Sequence, residues 1–84
     1  MSKQDYRESQ RVKPIGRAGI DACRKIVAEK QAAKVNEVMV DLFSASAIVQ
    51  VFDAIGEANR VKLVAFPVAK VADVAFKILN RAAA

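Results

Sequence analysis

The chain has 84 residues, 14 basic and 9 acidic, with no His, no Trp and a single Cys. This length makes one domain at most, and a domain so small buries only about 60% of its unfolded surface. Without His the commonest general base and the commonest metal ligand are missing; one Cys closes no internal disulfide and builds no four-thiolate zinc site. Ser–His and Cys–His catalysis are excluded.

Hydrophobic residues make up 54% of the chain, too many for a fully disordered polypeptide. The inventory is skewed to small side chains: 16 Ala and 12 Val stand against four Phe and one Tyr. Burial is worth about 25 cal/mol per Å², so an Ala-rich core stabilises less than a Leu-rich one. That shortfall is a first reason to expect a partner or an oligomer. Charge is also uneven. Residues 1–34 hold nine basic residues (Lys3, Arg7, Arg11, Lys13, Arg17, Arg24, Lys25, Lys30 and Lys34) against four acidic ones, whereas residues 35–84 balance at five of each. Such asymmetry fits an anionic partner, and equally a solvated, soluble arm.

Residues 1–16 read as a flexible basic arm. They contain one aromatic, Tyr6, and end in Lys13-Pro14-Ile15-Gly16. Pro14 favours extended backbone before it, and Gly16 and Gly19 weaken a helix there. The arm has no apolar face to dock. A helix is expected from Arg17 or Gly19 to Ala33, with Ile20, Cys23, Val27 and Gln31 at helical spacing and Ile26 widening the stripe. On that face Cys23 reads as a small core residue, although Arg24 and Lys25 beside it leave a reactive thiol as the alternative.

Residues 34–41 read as an extended connector with apolar anchors, because Val38, Met39 and Val40 favour extended backbone. The next helix is the best defined. Asp41 is its N-cap, and Ser46, Gln50, Asp53 and Glu57 make one narrow polar stripe. Nearly everything else from Leu42 to Ile55 is apolar, so this helix should be central, with Gly56 ending it. A short helix follows to about Ala65, with Ala58, Val61 and Val64 or Ala65 inward and Asn59, Arg60 and Lys62 facing water. Pro67 stops it and opens a last helix to Arg81, whose stripe is Val71, Val74, Ala75, Ile78 and Leu79 or Ala82. A competing reading is βαβα, with Val38–Leu42 and Val61–Phe66 as strands. The preferred fold class is all-α: a three- to four-helix domain over residues 17–84 behind the basic arm of residues 1–16.

The motifs specify little. Gly16-Arg17-Ala18-Gly19 has no preceding strand and makes no phosphate loop. Asp53 and Glu57 share a helix face, but on the solvent stripe, where paired carboxylates are ordinarily only solvated. Gly56 between two helices suggests a helix-turn-helix, yet only Asn59, Arg60 and Lys62 are available as readers. No catalytic residue, metal ligand, cofactor or small-molecule substrate is expected, and the chain is too short to enclose a pocket of a few hundred Å³.

Two functions are left. In the first, the chain is a non-catalytic interaction protein that docks on a protein or on itself as a homo-oligomer. Three short helices cannot cover Phe43, Phe52, Phe66 and Phe76 together with the Ile and Val residues, so these four are the candidate interface. In the second, the arm and first helix bind nucleic acid through phosphates, with Lys3, Arg7, Arg11, Lys13, Arg17, Arg24 and Lys25 as the contacts. Lys3, Arg7 and Arg11 are four apart, so a helical arm aligns them; Asp5 and Glu8 beside them count against the idea.

Val40-Asp41-Leu42-Phe43-Ser44-Ala45-Ser46-Ala47-Ile48, then Val51-Phe52-Asp53-Ala54-Ile55, Glu57-Ala58-Asn59-Arg60 and Val74-Ala75-Phe76-Lys77, carry a resemblance. They resemble a group of small uncharacterised proteins of tailed bacteriophages and prophages, over residues 35–80 only. The shared pattern is V-D-x-x-[ST]-A-x-x-I, V-[YF]-D-A-[LI], N-[RK] and A-[FW]-K-[IL]. The resemblance implies a phage or prophage origin, a compact helical C-terminal half and binding to a host or virion component; it carries over no functional residue. Met1–Lys13 has no apolar run of the length a signal peptide needs, no segment reaches the roughly 18 uncharged residues of a membrane span, and a lone thiol fits a reducing compartment. The expected location is the cytoplasm, the host cytoplasm if the chain is phage-encoded, without membrane contact.

Overall fold

The computed structural model describes residues 2–83. Met1 and Ala84, the outer ends of the expected arm and helical domain, lie outside the described residues, as does the Ala82 side chain. In chain order the elements are α1 (Lys3–Arg11), α2 (Gly16–Glu29), β1 (Ala33–Val35), β2 (Val38–Val40), α3 (Leu42–Ala54), α4 (Glu57–Leu63) and α5 (Val68–Ala83). The fold is therefore mainly helical, yet it is not all-α. Among the described residues there are five helices rather than three or four, and a β-hairpin.

Helix α3 is central, as its apolar circumference indicates: α2 and α5 both pack on it and have little contact with each other. The Asp41 carboxylate accepts the Ser44 N–H at 2.6 Å and caps its first turn. The core comprises Ile20, Cys23 and Ile26 from α2, Ala45, Ala47, Ile48, Val51 and Phe52 from α3, and Val68, Val71 and Ala75 from α5. Ile15, Val35, Val40 and Leu63 close it at the edges. No described polar or charged residue is buried, so specificity rests on shape and on what the surface charges do.

Several boundaries and faces differ from the expectation. Helix α2 begins at Gly16 and stops at Glu29, because Lys30 turns left-handed at φ 56° and its N–H bonds the Ile26 carbonyl. Gln31 therefore leaves the expected stripe. Gly19 is inside the helix for a steric reason: a Cβ there would sit 2.3 Å from Ile15 Cγ1. Gly56 does not end α3 in a left-handed turn. It has φ −74° and occupies the N-cap position of α4. On α4 it is Leu63 that faces inward, while Ala58 and Val61 are exposed. On α5, Val68 joins Val71 and Ala75 in the core and Ile78 stays exposed.

Residues Lys3–Arg11 form a helix capped by Ser2, whose hydroxyl accepts the Asp5 N–H at 3.1 Å. The segment after it is bound to the body. Ile15 is buried, its N–H bonds the Phe66 carbonyl at 2.9 Å, and the Gly16 N–H bonds the Val64 carbonyl at 3.0 Å. Gly16 has φ 64°, a conformation other residues adopt at a cost.

The extended connector is a two-stranded antiparallel hairpin in which Ala33 faces Val40, Lys34 faces Met39 and Val35 faces Val38. The partner of Val38–Val40 is thus its immediate neighbour rather than Val61–Phe66, which lies in α4 and the turn behind it. Asn36 and Glu37 form the turn, at φ 50° and 60°. Two left-handed residues suit the right-handed strand twist, the arrangement of a type I′ turn. Asn tolerates that backbone; Glu does not, and a non-Gly residue there costs on the order of 1 kcal/mol or more. Glu37→Gly is therefore expected to raise stability by about 0.5–1 kcal/mol, after the greater freedom of glycine in the unfolded chain is deducted. A urea titration with an unchanged slope and a higher midpoint checks this.

Candidate interaction surfaces

Three surfaces collect the residues singled out above. The first is a charged cluster built on Phe52. Only 6% of Phe52 is exposed, so it is not a free interface residue. What covers it is arginine. The guanidinium carbons of Arg17, Arg24 and Arg60 lie 5.7, 5.8 and 5.1 Å from its ring centroid. Each guanidinium is then held by an acceptor. Arg24 forms two hydrogen bonds to the Asp53 carboxylate, at 2.9 and 2.5 Å. Arg17 pairs with Glu57. Arg60 donates to the Phe52 and Asp53 carbonyls at 2.8 and 3.1 Å, and so fastens α4 to the end of α3. The polar stripe of α3 is thus solvated on one side and bridged to α2 on the other.

This cluster sets the charge states nearby. The hydrogen bonds from Arg24, aided by the Arg24 and Arg60 charges, hold the Asp53 carboxyl below its usual value. The Ser44 N–H and hydroxyl do the same for Asp41. A carboxyl whose pKa is depressed by folding contributes stability above its unfolded pKa, near 3.9, and loses that stability as pH falls through the folded value. With no His to titrate, the melting temperature should be level from about pH 5 to 8 and fall below about pH 4. In Asp53→Asn it should start lower at pH 7 and fall less steeply in acid; thermal melts across that range decide it.

The second surface gathers the candidate nucleic-acid residues, and the structure divides them. Arg17 and Arg24 belong to the cluster on Phe52 and are neutralised there. Lys25 faces away from them and lines a crevice with Ile26, Glu29 and Lys34 beside β1. Lys3, Arg7 and Arg11 are together on α1, with Lys13 just beyond its end. Lys3, Tyr6 and Arg7 face Glu37 of the hairpin turn across an open crevice of about 460 Å³. The crevice is open to solvent rather than an enclosed pocket, and lies between α1 and the hairpin turn. Arg11 Nε bridges it, donating to the Glu37 carbonyl at 3.3 Å, while Asn36 Nδ2 bonds the Pro14 carbonyl at 3.2 Å.

The third surface is apolar. Phe43 is 75% exposed. It stacks on half-buried Phe76 with ring centroids 5.6 Å apart and planes 20° apart. The two rings, with Ala47 and Leu79, line a groove of about 190 Å³ between α3 and α5, edged by Ser46, Gln50 and Asn80. Gln50 donates to the Ser46 hydroxyl at 3.0 Å, so part of that edge is internally satisfied. None of these seven residues is charged. Phe66 lies elsewhere, in a second apolar hollow with Ile55, Leu63, Val74 and Ile78. The four phenylalanines therefore divide: one buried, two forming a groove, one apart.

Cys23 is wholly buried, and burial pushes its thiol up to about 11. That is the opposite of an activated nucleophile. Among the described residues no group of His, Cys, Asp and Glu is placed to hold a metal ion, and no helix is long and apolar enough to cross a membrane. No protein-family model, curated protein or solved structure matches the chain.

Proposed function

We propose that this chain is a non-catalytic binding module that pairs with a second copy of itself through the α3–α5 groove. A phage-derived protein acting in the host cytoplasm is the setting that the resemblance of residues 35–80 suggests. The observation that carries the proposal is Phe43, 75% exposed and stacked on Phe76 over an uncharged groove. A second copy suits that groove on electrostatic grounds. In a two-fold pair the same patch meets itself, so a patch without charges neither brings like charges together nor takes an unpaired charge out of water. The chain carries a net charge of +5, and its uncharged faces are where two copies approach without that penalty. On α5, Asp73 and Lys77 are paired with each other at 3.0 Å. A non-catalytic role is supported by the chemistry of the side chains: the sole thiol is buried and protonated, and Asp41, Asp53 and Glu57 are engaged in capping or in pairs with arginine.

Light scattering coupled to gel filtration tests this, from low to high micromolar protein. The expected result is a concentration-dependent dimer that Phe43→Ser converts to a monomer of unchanged circular dichroism. A wild-type chain that stays monomeric at high micromolar concentration rejects self-association, as does a dimer that survives Phe43→Ser.

A further inference from the structure

We infer that α1 is a second binding element, independent of the groove, which takes a phosphodiester strand along Lys3, Arg7 and Arg11. The first support is the way α1 is held. No residue of α1 is buried. Its contacts with the body include the Arg11 bond to the Glu37 carbonyl and the walls of the open crevice. Helices shorter than about 12 residues are marginal in water unless packing holds them. A helix of 9 residues with so little packing is therefore left with its faces open for something to dock against.

The second support is the arrangement of charge. Residues four apart follow one another along one helix face, so Lys3, Arg7 and Arg11 form a basic row about two turns long. Asp5 is on the far side, with its N–H committed to the Ser2 cap. Glu8 accepts from Gln4 Nε2 at 3.0 Å, off the row. Glu37 is the acid that lines the crevice, and its carboxylate is 3.7 Å from Lys34 Nζ. Asp5 thus lies across the helix from the row and Glu37 is countered by Lys34, while Glu8 stays beside Arg11 and offsets part of the row's charge.

The third support is Tyr6. It is 53% exposed and lines the same crevice as Lys3 and Arg7. An aromatic ring beside a row of cations is the minimal arrangement for a nucleic-acid strand, the cations on phosphates and the ring under a base. The alternative anionic surface, an acidic membrane, needs an apolar helix face to insert. Helix α1 is Lys-Gln-Asp-Tyr-Arg-Glu-Ser-Gln-Arg and has no such face. Arg17 and Arg24, already paired with Glu57 and Asp53, are left out of the site.

Fluorescence anisotropy on the full chain decides it, with labelled oligothymidylate, a labelled duplex of mixed sequence, and vesicles of phosphatidylserine and phosphatidylcholine. Oligothymidylate should bind at low salt and release steeply as salt rises. In Lys3→Gln/Arg7→Gln/Arg11→Gln the log–log salt slope should fall by about 2 units, at about 0.7 per phosphate contact on a single strand, and affinity at low salt by tenfold or more. Tyr6→Ala should weaken the single strand and leave the duplex unchanged. Lys70→Gln/Lys77→Gln on α5, which removes charge elsewhere, should leave the slope near that of the wild type. The double variant Lys3→Gln/Arg7→Gln spares the Arg11 bond to the body and should still lose most of the effect. Absence of binding to either nucleic acid at low salt overturns the inference. So does a triple variant that binds like wild type, or binding to vesicles at lower protein concentration than to either nucleic acid. Retention of binding by Phe43→Ser separates this site from the groove.

Discussion

Phe52→Ala should cost about 3–5 kcal/mol, the range for removing a buried aromatic side chain. Domains of this size have total stabilities of about 4–12 kcal/mol, so the loss takes about a quarter of the total or more and should lower the melting temperature steeply. The loss has two parts. One is the ring itself, buried between α3 and the rest of the core. The other is the footing of Arg17, Arg24 and Arg60, which lie against that ring at 5.1–5.8 Å. Exposed cation–π contacts are worth about 0.5–1 kcal/mol each, and half-exposed ion pairs less, so the ring's burial dominates. Phe52→Leu separates the parts: it keeps most of the apolar volume and removes the aromatic face, and should cost about 1–2 kcal/mol. Urea unfolding followed by circular dichroism gives both numbers. A Phe52→Leu variant as damaged as Phe52→Ala would mean that the arginine contacts, rather than burial, hold this corner.

Ala75→Leu should be the most damaging enlargement on α5, at about 1–3 kcal/mol. Ala75 has no exposed surface, and α5 packs on α3 through it and its neighbours Val68 and Val71. On α3, Ala45 and Ala47 are buried as well. Small residues on both helices permit close approach, and extra methylenes there force the helices apart or the side chains off their rotamers. Ala69, on the exposed face of the same helix, is the control: Ala69→Leu should change the melting temperature little. Equal effects at the two positions would show that α5 is not closely packed on α3. The alanines bury little area individually, but they set the spacing at which the larger side chains meet.

Much of this architecture was legible locally. The N-cap at Asp41 and the apolar circumference of α3 are short-range signals, and both stand. The hairpin was hidden because its signals are weak. Asn36-Glu37 lacks the glycine that marks a type I′ turn, and strands of three residues are too short to show alternation. On α4 a helical period fitted Ala58 and Val61 as well as it fitted Leu63, and only the course of the chain before it selected Leu63. The cluster on Phe52 was illegible for another reason: its ion pairs join residues 29 and 40 positions apart. One signal was present. Arg17 and Arg24 are two helical turns apart, and Asp53 and Glu57 are one turn apart, so each pair lies on a single face. Stripes of opposite charge on two helices expected to pack are a reason to dock those faces together. The expected nucleic-acid contacts run from Lys3 to Lys25, and the structure splits them in part because Arg24 and Lys25, adjacent in sequence, point about 100° apart around a helix.

The burial of Cys23 makes the chain its own gauge of local opening. A thiol reagent reaches this side chain only when α2 lifts from α3, since no surface of Cys23 is exposed in the closed state. With no second cysteine in the sequence, every labelled molecule reports the same event. The labelling rate under native conditions, divided by that of an unfolded peptide thiol, gives the population of the opened form directly. If α2 opens as a unit before the whole chain unfolds, labelling will outpace global unfolding and depend little on urea. If the two coincide, the chain behaves as one cooperative block from Ile20 to Ala75. A stopwatch set at the middle of the α2–α3 contact thus comes with the wild-type sequence, and a dimer that seals α3 against α5 of a second copy would slow it as protein concentration rises.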